Sequence, residues 1–416
     1  MSHELDPQTA HAAHLHASAE EAALHEAGNF SRRNLLRFAA IGAAAASTVG
    51  FGESVPASAA GWSDDLGTLK IGYLPITDAA PLLVAHGSKI FKKNGITTAN
   101  PTLFRTWPSL VEAFQAKKVD VVHLLMPLAL QLKFAANQDI KIISWNHTNG
   151  SALTVANSIN KVTDLAGKVV AIPFWYSIHN VVLQQLFRKD GLTPVFTGTA
   201  DAAKKEVKVV ILAPADMPTA LANGSVSGYI VAEPFNALAE VKGIGKILRF
   251  TGDVWKDHAC CVTVVRGDLV KNNPQAAQAI ADSIVAAQAQ INQGRQTAAA
   301  LLSDLGYLTQ PVEAIQRALT YYPIANYKKA ITNTSWASRR IGFQPFPFPT
   351  YTAALVTELR KTKVGVDNSF LNKINLKTVH ADIVAVGLAE AAIKKNGGNK
   401  AFGLPTKLAR TEVIKP

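Results

Sequence analysis

Two pairs of segments recur in the same order along the chain, and no other feature restricts its fold as much. LKIGYLPITDAAPLLVA (Leu69 to Ala85) and GKVVAIPFWYSIHNVVL (Gly167 to Leu183) each run lysine, apolar strand residues, a proline five positions after the lysine, a short turn and an apolar helix. LVEAFQAKKVDVVHLLMP (Leu110 to Pro127) and MPTALANGSVSGYIVAEP (Met217 to Pro234) align without gaps as helix, polar turn and strand. In both, a proline follows eight residues after a valine, Val119 or Val226. Internal similarity of this kind implies duplicated units. Strands alternating with helices imply α/β lobes built on parallel-type sheets flanked by helices. The expectation is two such lobes.

The physics of parallel sheets then locates a site. Ligands bind beyond the carboxyl ends of the strands, near helix N-termini. Those ends carry Thr77-Asp78, Trp175-Tyr176-Ser177, His123 to Met126, and Glu233. The repeat matches Glu233 to Met126 and Asp78 to Tyr176. Glu233 ends an apolar run, Tyr229 to Ala232, and a carboxylate beside a core is costly without a partner or water. It is therefore expected to look into an interlobe cleft, where water and a ligand offset that cost. A structural reading stands beside each functional one: Asp78 as a helix cap, Glu233 as a member of an ion pair, Trp107 and Trp175 as core aromatics, His179 as a packing histidine, and His123 as core.

Two stretches cross between the lobes, SWNHTNGSALTV (Ser144 to Val155) and DHACCVTVVRGDLVKNNP (Asp257 to Pro274). They divide the chain into one lobe of residues 66–153 and 262–416 and a second of residues 154–261. Ala-rich helices are expected from Pro274 to about Asn326. FQPFPFPTY (Phe343 to Tyr351) reads as packed extended chain, and a helix is expected from about Val379 to Lys395. This C-terminal remainder is expected to wrap the first lobe.

Residues 1–59 stand apart. After a polar, histidine-bearing lead come SRRNLLRFAA, an Ala-rich apolar run and Ala57-Ser58-Ala59. A basic start, apolar centre and A-x-A site make an export signal, and Ser31-Arg32-Arg33 resembles the twin-arginine type. Cleavage near Ala59 is expected, with an extracytoplasmic, periplasmic destination. The formal net charge of +12 would rise on cleavage, since residues 1–59 hold three basic and six acidic residues. The basic residues are scattered rather than run together, which argues against nucleic acid as a partner. The two cysteines, Cys260 and Cys261, are neighbours. Without C-x-x-C spacing, zinc or redox chemistry is not expected, and the pair reads as small buried residues entering the strand CVTVV.

TDAAPLLVAH, HTNGSA, YSIHN and VAEPFN, with the two-lobe plan, resemble the extracytoplasmic solute-binding proteins of ABC importers for nitrate, bicarbonate, sulfonates and taurine, above all the nitrate/bicarbonate branch. The resemblance implies the two-lobed periplasmic binding protein fold (type II), closing as a monomer over one solute and delivering it to permease and ATPase subunits. It also implies pocket positions: Trp107 in RTWPSL, Ser151 where the branch usually has glutamine, His179 in YSIHN, and Glu233 where nitrate binders have lysine and bicarbonate binders glutamate. With the strand-end residues, the expected ligand set is Thr77, Asp78, Trp107, Met126, Asn149, Ser151, Trp175, Tyr176, Ser177, His179 and Glu233. The missing lysine argues against nitrate. Carboxylates with aromatic faces suit a planar cation, so a guanidinium-like solute without a cofactor is the first expectation. Bicarbonate or another small oxyanion, with Ca²⁺ held by Glu233, is the alternative.

The rival class is an enzyme of the thiamine-pyrimidine synthase fold group. The sequence has no G-x-S-x-G elbow, H-E-x-x-H pair or phosphate loop, and GSVSG (Gly224 to Gly228) has valine at its centre. A binding protein rather than an enzyme is expected. A sensor-coupled receptor of the same fold has the same sequence signals.

Overall fold

The computed structural model describes residues 67–416, apart from 321–323, 334–335 and 337–338. The export signal, its cleavage site and the N-terminal histidines lie outside the described residues. Two sheets carry the chain. The first has five strands in the order Thr102–Leu103, Ile71–Tyr73, Val121–Leu125, Cys261–Arg266, Ile140–Trp145. The second has six, in the order Thr193–Val195, Glu206–Ile211, Val169–Ile172, Gly228–Ala232, Ser151–Val155, Lys246–Phe250.

Both repeats are visible as structure. Ile71–Tyr73 and Val169–Ile172 begin one residue after the repeated lysines, and their helices follow at Ala80–Gly87 and Ile178–Asp190. The second pair gives Val121–Leu125 and Gly228–Ala232, each beginning two residues after its valine. Within each sheet the two repeat strands pair in parallel. The sheets are mixed rather than purely parallel. In each, the strand that enters from the other lobe inserts antiparallel: Cys261–Arg266 beside Val121–Leu125, and Ser151–Val155 beside Gly228–Ala232. The registers correspond, Cys261 facing Leu125 and Ser151 facing Ala232. An antiparallel strand starts where its parallel neighbours end. Both crossing strands therefore begin at the carboxyl edge of those parallel strands.

Local chemistry sets these elements. The Ile178–Asp190 helix is capped by Ser177, whose Oγ accepts the Asn180 N–H at 3.1 Å, and it ends at Gly191 with φ of 71°, a left-handed cap that glycine adopts without a Cβ penalty. The Pro274–Gln293 helix starts with proline in its first turn and the Asn273 side chain accepting the Ala276 N–H, where a missing proline N–H costs nothing.

The C-terminal part does more than wrap the first lobe. The Pro274–Gln293 helix packs on Ala80–Gly87 of the first lobe, while Val312–Leu319 packs on Phe235–Val241 of the second. Phe343, Phe346, Phe348 and Tyr351 are buried, the packed chain expected of the Pro-Phe segment. The helix expected over Val379 to Lys395 is split into Val379–Ile383 and Val386–Lys395. At the break Val384 bridges Ile142, and the Ala385 N–H donates to the Ile142 carbonyl at 2.9 Å. Edge pairing to the sheet has overridden helix periodicity. No helix among the described residues is long and apolar enough to cross a membrane.

Candidate functional site

The strand ends of both lobes interlock through backbone hydrogen bonds. Thr77 donates its N–H and hydroxyl to the Glu233 carbonyl, at 2.8 and 3.0 Å. Glu233 N–H donates to the Gly150 carbonyl, and the repeat-equivalent Met126 N–H to the Cys260 carbonyl, both at 2.9 Å. The crossing segments also pair with each other: Thr148 bridges Ala259, and Asn149 N–H donates to the His258 carbonyl. The site is thus built by topology, from residues far apart in sequence.

A wholly buried polar cluster sits at this junction. Asp78 and His147 form an ion pair, Oδ2 to Nε2, at 2.8 Å with neither exposed. Burial pulls the Asp78 carboxyl up, but the His147 imidazolium and hydrogen bonds from His147 and Cys261 outweigh it and hold the group below the ordinary value. Burial opposes charge on His147 too, and Asp78 overcomes it, raising the imidazole to about 10. Gly150 makes room for this ring: its φ is +79°, and a Cβ there would meet His147 Nδ1 at 2.9 Å. Cys260 and Cys261 complete the group, one donor atom from each of the four residues lying within 4.8 Å of the others. Burial raises both thiols; the Cys261 hydrogen bond and nearby imidazoles bring Cys260 down to about 5, while Cys261 stays well above the usual value.

Two further histidines extend the cluster. His179 Nε2 lies 2.9 Å from Ser151 Oγ and 3.9 Å from Cys260 Sγ. His258 Nε2 lies 2.8 Å from Thr251 Oγ1 and its Nδ1 3.3 Å from the Ala259 carbonyl, and Thr251 Oγ1 lies 3.0 Å from the Ser151 carbonyl. On the other side, His123 Nε2 accepts the Leu74 N–H at 2.9 Å. Burial lowers His123 to about 4, so at neutral pH the ring is neutral and its Nδ1 bears the proton. That donor and the neighbouring Trp107 Nε1 have no acceptor among the described residues; their rings meet edge-on at 5.5 Å. Buried donors are normally paired.

Glu233 is placed differently from its sequence expectation. Its Oε1 accepts Arg340 Nε at 2.9 Å and Nη2 at 2.5 Å, with both side chains 1% exposed. Its Oε2 accepts the Ala237 N–H at 3.0 Å. A protein guanidinium, not water or a solute, offsets its desolvation. Burial pushes the Glu233 carboxyl up against the pull of Arg340, and the carboxylates of Glu233 and Glu240 hold Arg340 charged. A Ca²⁺ on Glu233 would face that guanidinium, which repels it.

The remaining expected ligands divide. Thr77, Asp78, Trp107, Met126, Ser151 and His179 gather at the junction. Asn149 spends its side chain on Asp257, accepting the backbone N–H at 3.0 Å and donating to Oδ1 at 3.2 Å. Trp175 packs edge-on against Phe196 at 5.0 Å. The Tyr176 hydroxyl donates to the Asp367 carbonyl at 2.9 Å. Ser177 caps its helix and donates to the Phe174 carbonyl. Sequence reasoning overlooked His147, His258 and Arg340, and gave the cysteines only their packing role. The structure makes Cys261 the counterpart of Ser151, one facing Leu125 and the other Ala232, but both lie outside the repeated segments. Nothing local marks Arg340, which reaches Glu233 from 107 residues away.

Two large grooves lie elsewhere: about 750 Å³ against Tyr73, His86 and Tyr307, and about 850 Å³ against Asn149, Asp257 and Trp336. Neither is lined by Asp78, His147, His179 or a cysteine. The junction is enclosed, and we take it, with its unpaired donors, as the candidate site.

A model of the NMT1-like family matches residues 64–304. A nitrate/nitrite binding protein from Nostoc sp. PCC 7120 is 28% identical over 240 residues, covering 53% of this chain and 52% of its own length. The chain spans about half the length, or less, of the first curated relatives it matches. Among solved structures, the periplasmic nitrate-binding protein of Synechocystis PCC 6803 superposes with a TM-score of 0.67 at 19% identity, covering 83% of this chain and 93% of that one. The zinc-bound ligand-binding component of an ABC-type import system from Staphylococcus aureus gives 0.62 at 23% identity, covering 78% and 98%. The fold is therefore that of the periplasmic binding proteins.

Proposed function

The chain belongs to the NMT1-like family, and on that footing we propose that it is the extracytoplasmic solute-binding component of an ABC importer. It captures one small polar solute between its lobes and hands it to permease and ATPase subunits. The export-type residues 31–59 and the roles of the relatives support this reading, and a periplasmic working place follows from it. Binding rather than turnover is its activity.

One observation carries the site: strand ends of both lobes and both crossing segments converge on an enclosed cluster, where Trp107 Nε1–H and His123 Nδ1–H have no acceptor among the described residues. Donors awaiting acceptors suit a small oxyanion, and His147 supplies positive charge nearby. The guanidinium-like solute is the second reading, favoured by the buried Asp78 carboxylate. Such a cation must displace His147 from Asp78, and it finds Glu233 already taken by Arg340.

Calorimetric titration of the protein with nitrate, bicarbonate with and without Ca²⁺, taurine and guanidinium tests the proposal. Saturable binding of one solute without product supports it. Trp107→Phe keeps a ring but removes the donor, and should weaken an oxyanion by about 10-fold or more, the worth of a hydrogen bond to a charged group. A cation would be little affected by that variant. Absence of saturable binding to all of these, or consumption of any, would overturn the proposal.

A further inference from the structure

We propose that Asp78, His147, Cys260 and Cys261 form a binding site for a thiophilic divalent cation of the Zn²⁺ type, at the point where the two crossing segments meet. The four residues come from three separate stretches: the turn after the first strand and the two crossing segments. Their donor atoms lie within 4.8 Å of one another, and all four side chains are buried. Two sulfurs, an imidazole nitrogen and a carboxylate oxygen are the donor types of tetrahedral zinc sites, and thiolates select against the hard cations Ca²⁺ and Mg²⁺. Bonds of about 2.0–2.3 Å put tetrahedral donors roughly 3.3–3.8 Å apart, so the set needs to contract by about an ångström at its widest. His147 Nε2 and Asp78 Oδ2, 2.8 Å apart, must instead open by about half an ångström.

The protonated network fits an ion-exchange view of the site. Without metal, a proton joins His147 Nε2 to Asp78 Oδ2 across 2.8 Å. A divalent ion takes the place of the ligands' protons, because ligands must be deprotonated to bind it. The ligated set of one carboxylate, two thiolates and neutral imidazole then holds one net negative charge around the ion. Four protein ligands complete a tetrahedron and leave no position for a solute. The ion would be a staple between the crossing segments, and by holding His147 neutral it would remove the positive charge that the oxyanion reading takes from that ring.

Only two cysteines occur in the 416-residue chain, so thiolate-to-metal charge transfer can arise only here, whatever the N-terminal histidines bind. The test is titration of the reduced full chain with Co²⁺, followed by Zn²⁺ displacement. Tetrahedral Co²⁺ bands with thiolate charge transfer, saturating at one equivalent and bleached by Zn²⁺, are expected. Cys260→Ser and Cys261→Ser should each remove roughly half of the charge-transfer intensity, one thiolate of two. Asp78→Asn should weaken Co²⁺ affinity about 10-fold or more, and Zn²⁺ should raise the unfolding temperature of the parent but not of the Cys260→Ser variant. Circular dichroism establishes that each variant is folded, and Cys261→Ala substitutes if the serine is not tolerated. A reduced, folded protein that shows no thiolate band at stoichiometric Co²⁺, or one whose bands survive both serine variants, overturns the site.

Discussion

Arg340→Met is the substitution that best tests how the two lobes are joined. Methionine keeps an apolar stem beside Phe250, over which the guanidinium carbon now sits at 5.4 Å. It removes the cation from Glu233, 1% exposed, and from Glu240, which accepts Arg340 Nη1 at 2.5 Å. Glu240 retains Arg317 at 3.1 Å, whereas among the described residues Glu233 is left with the Ala237 N–H. Stripping one partner from a buried pair costs about 3–5 kcal/mol. Glu233→Gln should cost less, about 1–3 kcal/mol, because Arg340 keeps Glu240 and the Tyr327 hydroxyl at 3.2 Å. The double change Glu233→Leu with Arg340→Met should recover most of the larger loss, since apolar residues can replace a buried pair at little cost. Urea unfolding followed by tryptophan fluorescence reads all three. An Arg340→Met loss below about 1 kcal/mol would refute the pairing. If Glu233→Gln also abolished solute binding, Glu233 would return to the solute.

The acid limb of stability offers a second check. Burial raises the Glu240 carboxyl, but Arg340 and Arg317 outweigh it and hold the group below 4.5. A depressed folded value means stability that is present above the unfolded value and lost as pH falls through the folded one. Glu240→Gln should therefore flatten the fall in unfolding free energy below about pH 4.5; an unchanged acid limb would count against the cluster. Ser177→Ala removes the helix cap on Asn180 and should cost about 1 kcal/mol in the same urea assay, while Ser177→Thr restores most of it; equal losses for both would mean that the cap is not the source.

How much was legible in the sequence follows from the range of each signal. The repeat marked which strands correspond in the two lobes, because both copies kept the same lysine, valine and proline offsets. Ser151 and His179 were found at the junction, where their Oγ and Nε2 meet at 2.9 Å. The guanidinium-like reading leaned on Glu233 as a free carboxylate, and sequence offered no way to see that Arg340 is folded back onto it. The bland reading of the cysteines was right about burial and silent about their neighbours, since Asp78 and His147 precede them by more than a hundred residues.

By itself, then, the sequence determined the duplicated α/β plan and the crossing strands, because period, turn residues and repeats act over a few residues. Only the tertiary structure decided which buried charges answer one another: His147 for Asp78, Arg340 for Glu233, and two thiols beside the first pair. Pairing of that kind depends on three-dimensional proximity in a low-dielectric interior. The same carboxylate at the end of the same strand is a ligand or a latch according to what the rest of the chain brings to it.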